Sequence, residues 1–201
     1  MTVVTAAVEG LLDEAVLRRL TDDAGIIVTK VYGKEGKSKL LERIQAYNNA
    51  AQYYPWIVMI DLDQDNDCAP PFCHLHLPEP APNMYFRVAV REVEAWLLAD
   101  RPGLARFLGI ATSKIPLSPE DLPDPKAFIV QLARTSRRRE IRDSMVPTLE
   151  SGRKVGIAYT SRMIEFVSDK NAGWNPVEAA GASNSLARCI SRFRDLAAAL
   201  D

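Results

Sequence analysis

The chain has 201 residues, 47% of them hydrophobic and 25% charged, with a formal net charge of −1. That balance is ordinary for a globular protein, and it excludes a broadly basic nucleic-acid-coating protein, so any nucleic-acid contact must come from a local patch. No apolar run approaches the roughly 20 residues of a membrane span, and the three cysteines suit a reducing compartment rather than a disulfide framework. The opening M-T-V-V-T-A-A-V-E-G lacks the basic region of a signal peptide, so a cytoplasmic location is expected.

In chain order, Thr2–Val8 reads as a strand closed by Glu9-Gly10. Leu12, Val16 and Leu20 recur at helical spacing, with Asp13 and Glu14 in the first turn, where the helix dipole favours acids. Residues 26–32 read as a second strand. A turn at Gly33–Gly36 leads into a helix carrying Leu40, Leu41, Ile44, Tyr47 and Ala51 on one face. Trp56–Ile60 is an unbroken, β-branched apolar run, the pattern of a strand buried on both faces of a parallel sheet. A proline-rich stretch over 67–83, with a helical turn near Phe72–Leu75, precedes a fourth strand at 84–90. Helices follow at 91–100 (Val93, Trp96 and Leu97 inward) and 102–108, then a proline-punctuated loop over 113–125. The remaining helices are 126–135, 159–170 and 183–200. The last points Leu186, Ile190, Phe193, Ala197 and Leu200 inward, and Arg188, Arg192 and Arg194 outward.

Alternating strands and helices predict an α/β fold with a mainly parallel, Rossmann-like sheet. Residues 1–100 form the α/β domain and 101–201 a helical extension packed on it.

Asp61, Asp63 and Asp65 follow the third strand. If the chain stays extended, period-two spacing sends all three carboxylates to one side, at the strand end where open α/β sheets bind ligands. Crowded carboxylates repel unless a cation intervenes, and hard oxygen donors favour Mg²⁺ or Mn²⁺. The plainer alternative is a solvated acidic exit from the strand. Arg91 is a possible internal counter-ion. Glu94 is the better candidate of the Glu92/Glu94 pair to face the same cleft, although both also fit as first-turn helix acids.

Gly33-Lys34-Glu35-Gly36-Lys37-Ser38 falls short of a phosphate-binding P-loop, because Val31 stands where the first glycine is required. Gly36 and Lys37 remain phosphate-contact candidates at a helix start. Cys68, Cys73, His74 and His76 crowd one loop rather than forming two separated ligand pairs, so zinc is not expected; the alternative role for either histidine is that of a proton donor reaching the cleft. Arg134, Arg137, Arg138, Arg139 and Arg142 form the one strongly basic run. Phosphate backbones are its natural partner; a solvated helix end or an acidic protein would also suit it.

V-E-G at 8–10 and I-D-L-D-Q-D at 60–65 resemble the two halves of the TOPRIM domain of topoisomerases, primases and overcoming-lysogenization-defect nucleases. R-V-A-V-R-E-V-E-A-W-L-L-A-D at 87–100 and S-N-S-L-A-R-C at 183–189 resemble a bacterial TOPRIM-like family whose members look like partners of ATPases in genome defence. The resemblance implies Mg²⁺-dependent hydrolysis of nucleic-acid phosphodiester bonds. Glu9 would be the acid/base or metal-organising carboxylate, and Asp61 and Asp63 the metal holders, with Asp65 and Glu94 behind them. A TOPRIM-shaped subunit without catalysis is the alternative. I-D-L-D-Q-D also resembles the nucleophile strand of haloacid-dehalogenase-type phosphatases, which carry Thr or Val where Asp65 stands.

Overall fold

The computed structural model describes residues 2–200, with Leu200 described by its backbone alone, so the inward position expected of Leu200 lies outside the described side chains. Four strands, β1 (Val3–Val8), β2 (Ile27–Gly33), β3 (Trp56–Asp61) and β4 (Met84–Ala89), form one sheet in the order β2-β1-β3-β4, with every neighbouring pair parallel. The α/β reading and its parallel sheet are thus observed, and all four strands lie within a residue of their expected bounds.

Alternation along the central strands divides the core in two. Val4, Ala6, Val8, Ile57 and Met59 face one layer, and Ala7, Val58 and Ile60 the other, as period-two side-chain geometry requires. Helix α1 (Leu11–Asp23) covers the first face and buries Leu12, Val16, Leu17 and Leu20. Helices α2 (Lys37–Glu42), α3 (Ile44–Ala50) and α4 (Ala69–His76) cover the second. The single helix expected after β2 is interrupted at Arg43, yet Leu40, Ile44, Tyr47 and Ala51 still turn inward together.

The later helices stack on the α1 side: α5 (Val93–Ala99), α6 (Arg101–Leu108), α7 (Pro125–Arg134), α8 (Arg139–Met145), α9 (Tyr159–Ser168), α10 (Pro176–Ala180) and α11 (Asn184–Leu200). Their residues Trp96, Ile129, Phe166, Trp174 and Phe193 share one apolar cluster with Val4 and Val8 of the sheet. Helices α8 and α10 were not anticipated. In α8, arginines mask two apolar residues four apart, Ile141 and Met145, which are buried. In α10, the Asn175 side chain accepts from the Val177 and Glu178 N–H groups and starts a five-residue helix.

Because β1 lies between β2 and β3, chain order reverses direction there. The crevice at the carboxyl ends of β1 and β3 is the topological switch point where sheets of this type bind ligands.

Candidate active site

Glu9 follows β1 and Asp61 ends β3, so both carboxylates stand at that crevice. The Asp61 N–H donates to Glu9 Oε1 at 2.6 Å. Asp61 is 7% exposed, and its Oδ1 accepts the Val93 N–H at 2.9 Å, at the start of α5.

Asp63 and Asp65 do not converge on the same point, although Asp63 stays near enough to repel Glu9 and Asp13. The chain leaves the extended conformation after β3, and Asp63 takes a left-handed φ of 52°. Its carboxylate, like that of Asp65, is instead held by Lys37, at 2.8 and 2.6 Å. Lys37 Nζ also donates to Leu62 O at 3.1 Å. Burial disfavours the Lys37 charge, but the two aspartates outweigh it and raise its pKa. The Gly36 N–H is used on Glu9 O at 3.0 Å. Both phosphate-contact candidates are therefore engaged inside the chain. Arg91 reaches the Asp63 and Asn66 carbonyls at 3.1 and 2.8 Å rather than a carboxylate.

The place expected of Asp63 is taken by other groups. Asp13, in the first turn of α1, is 7% exposed, and Glu94, in the first turn of α5, is 1% exposed. With Asp61 they line a cavity of about 160 Å³, joined by Lys126 from α7 and Tyr159 from α9. Lys126 Nζ lies 3.4 Å from Glu94 Oε1 and 4.0 Å from Glu92 Oε1. The Lys126 N–H donates to Glu92 Oε2 at 3.1 Å, and the Tyr159 hydroxyl to Glu94 Oε1 at 3.3 Å. Glu92 precedes α5 in extended backbone, which lets it and Glu94 reach the same lysine. Two buried oxygens in this group, Asp13 Oδ1 and Glu94 Oε2, have no hydrogen-bond partner among the described residues.

Burial is the main cause of raised carboxylate pKa values throughout the cluster. It pushes Glu9 up to about 7, with Asp13 and Asp63 adding repulsion, and Glu92 up to about 7, with Glu94 adding to it. Asp61 is raised well above the usual range by burial and then by Asp13, Glu94 and Glu9. Asp13 and Glu94 are raised by burial too. Lys126 is raised despite burial, because Glu94, Glu92 and Asp61 hold its proton.

The donor set is chemically suited to a hard divalent cation, and the two orphaned carboxylate oxygens are acceptors that such an ion would satisfy. As the side chains stand, no group of three or more Asp, Glu, His or Cys among the described residues is arranged to hold a metal ion.

The other sequence candidates lie elsewhere. Arg138 donates to Phe107 O at 3.2 Å and Arg142 to Ser136 O at 2.5 Å, and Arg139 pairs with Asp143 at 3.2 Å. Arg134 and Arg137 are exposed, without a side-chain partner among the described residues. His76 packs on Phe72, with ring centroids 4.4 Å apart, on the face of the sheet opposite α1. A larger groove of about 610 Å³ beside β2 is lined by Leu11, Ile27 and Ile164 and by charges already paired, such as Arg18 with Glu14 and Lys170 with Asp22.

Sequence reasoning missed Asp13, Lys126 and Tyr159. Asp13 had one available signal: it stands four residues after Glu9, with the helix starting between them. Lys126 and Tyr159 arrive from distant helices and carry no local mark.

Fold and site together define an α/β protein with a parallel four-stranded sheet and a buried acidic cluster at its switch point. No family model, curated protein or solved structure matches the chain. Among the described residues, no helix is long and apolar enough to cross a membrane.

Proposed function

We propose that the chain is a Mg²⁺- or Mn²⁺-dependent hydrolase of nucleic-acid phosphodiester bonds, centred on Glu9, Asp13, Asp61 and Glu94. The observation that carries this reading is the pair of unpartnered buried oxygens, Asp13 Oδ1 and Glu94 Oε2, in one cavity with Asp61. Leaving such groups unsatisfied is costly, and a cation relieves both the loss and the repulsion. When bound, the metal would polarise a phosphoryl oxygen and make a bound water more acidic. Glu9, with its carboxyl pushed up to about 7, suits the task of taking a proton from an attacking water near neutral pH. Lys126 supplies positive charge for a departing oxygen. Tyr159 is 2% exposed and engaged with Glu94, which favours water over a tyrosine nucleophile. Asp61 is an acceptor at the start of α5, a poor position for a phosphatase nucleophile. The TOPRIM resemblance extends the proposal to a cytoplasmic genome-defence setting with an ATPase partner.

One observation favours a second reading, a scaffold without catalysis: Lys126 already serves as a counter-ion to Glu92 and Glu94. Calorimetric titration with Mn²⁺ separates the two. The hydrolase should bind Mn²⁺ and lose that binding, together with cleavage of an oligonucleotide, in Asp61→Asn. Absence of binding at millimolar metal, or equal binding by the variant, leaves the scaffold.

A further inference from the structure

Strand β4 forms the edge of the sheet remote from β2. Its residues alternate, and Ala89 and Tyr85 belong to the core beneath the later helices. Arg87 lies between them and projects to the same side, where α11 packs. An apolar residue would suit that position. Instead a guanidinium stands there with its Nε buried and, among the described residues, with neither a hydrogen-bond partner for that Nε nor an ion pair. A merely solvated arginine would bury its methylene stem and keep its polar end wet; here part of the polar end is inside. Burial disfavours the charge on Arg87, and Arg192 of α11 opposes it further.

Arg188 and Arg192 are both exposed. Four residues apart, they share one flank of α11. Arg188 has no ion-pair partner among the described residues, and Arg192 has only Asp195, at 3.5 Å between two largely exposed side chains. Arg192 thus stands near enough to Arg87 to oppose its charge across the β4–α11 edge, with Arg188 about one helical turn nearer the start of α11 and Asp195 paired to Arg192.

We propose that Arg87, Arg188 and Arg192 form a strip that binds the phosphates of a nucleic-acid strand running to or from the acidic cleft. This rests on the nucleic-acid reading above and adds to it a route for the substrate. The guanidinium fork matches phosphate oxygens, and a phosphate would bring acceptors to a guanidinium whose Nε–H has none among the described residues. Continuity with the cleft favours nucleic acid over an acidic protein. Ala89 pairs with Asp61, and the Val90 N–H donates to Ser185 Oγ in the first turn of α11 at 3.3 Å. Arg87 lies two residues back along β4, roughly 7 Å at the usual strand rise. Arg192 lies seven residues on from Ser185, about 10 Å along the helix.

The test is fluorescence anisotropy of labelled single- and double-stranded oligonucleotides on the full chain, with chelator present so that cleavage and metal play no part. Arg188→Gln/Arg192→Gln alters only exposed side chains, and Arg87→Met is the second variant. Each lost phosphate contact should flatten the log–log salt slope by about 0.7–0.9. The double variant should therefore lose about 1.5 in slope and bind at least fivefold more weakly, while its Mn²⁺ titration stays that of the parent. Unchanged affinity and slope in both variants would overturn the strip. So would a strip-dependent affinity for polyglutamate with none for oligonucleotides, which would make it a protein-facing surface. Strip-dependent oligonucleotide binding in a chain that takes no Mn²⁺ would uphold the strip while removing the hydrolase reading.

Discussion

Lys126 is the residue on which the acidic cluster most depends. Its side chain is 42% exposed, but its ammonium meets Glu94, which is 1% exposed. Breaking a fully buried pair costs about 3–5 kcal/mol; partial exposure of Lys126 screens the interaction, so Lys126→Met should cost ~1–3 kcal/mol near pH 8. The loss should shrink near pH 5, where the raised carboxylates take up protons and no longer need the cation. Urea denaturation at the two pH values measures this, and a cost equal at both would mean that Lys126 acts by packing alone. The same cluster marks what the sequence reveals of a site. Glu9 and Asp61 were legible because strand ends are legible and neighbouring parallel strands must deliver their ends together. Asp63 was misplaced because period-two reasoning holds only while the backbone is extended, and Asp63 turns left-handed. Asp13 was read as an acid on the helix dipole, a placement that looks the same in sequence whether the first turn faces water or a cavity.

The strands were the most legible elements, because β1 and β3 are apolar on both faces and β4 nearly so. The edge strand β2 carries exposed Ile27 and Tyr32, so its place at the edge could not be read from its apolar content. The short helices α8 and α10 were hidden, one by arginines and the other by its length. The turn joining β2 to α2 makes an element-scale test. Gly33 has φ +82°, and a Cβ there would stand 2.3 Å from the Val8 carbonyl oxygen, whereas Gly36 has φ +88° with open space around it. Gly36→Ala should cost only the conformational penalty, about 1–3 kcal/mol for a φ of 88° with ψ 169°, a region essentially reserved for glycine. Gly33→Ala adds a backbone clash that can be relieved only by moving β2 from β1, and should cost clearly more. Thermal denaturation of both variants checks the order; equal losses would mean that the β1–β2 pairing yields easily at its carboxyl end. Since Lys34 N–H also bonds to Val8 O at 2.9 Å, Gly33→Ala should disturb Glu9 as well and weaken Mn²⁺ binding where Gly36→Ala does less.

At the scale of the whole molecule, the acidic cluster ties the helical part to the sheet. Its members come from the end of β1, from α1, from the end of β3, and from α5, α7 and α9, so the ionisation of one group bears on the packing of six segments. Glu9 and Glu92 rise to about 7 from ordinary values of 4.5, and Asp13, Asp61 and Glu94 rise as well, burial being the leading cause in each. A carboxyl raised in the folded state binds more protons there than in the unfolded chain, so stability falls as pH increases through the folded pKa. For Glu9 and Glu92 the contribution is full below about 4.5 and lost as pH rises through about 7. Lys37 and Lys126 are shifted upward from 10.5, so their contributions are lost only in strong alkali. Burial raises the Glu14 carboxyl, but Lys34 and Arg18 together outweigh it and lower its pKa from 4.5, so its contribution is lost only as pH falls through that lowered folded value. Metal-free protein should therefore have a higher urea midpoint at pH 5.5 than at pH 8.5. A divalent cation competes with protons for the same oxygens, so Mn²⁺ should do little at pH 5.5 and stabilise the chain at pH 8.5, by about 2.7 kcal/mol at a hundredfold excess over its dissociation constant. The two pH curves should then converge in Mn²⁺ and separate again on adding chelator. A fall in stability with pH that Mn²⁺ leaves untouched would mean that protons and Lys126 alone neutralise the cluster, and the carboxylates would then be a strained packing feature rather than a metal centre.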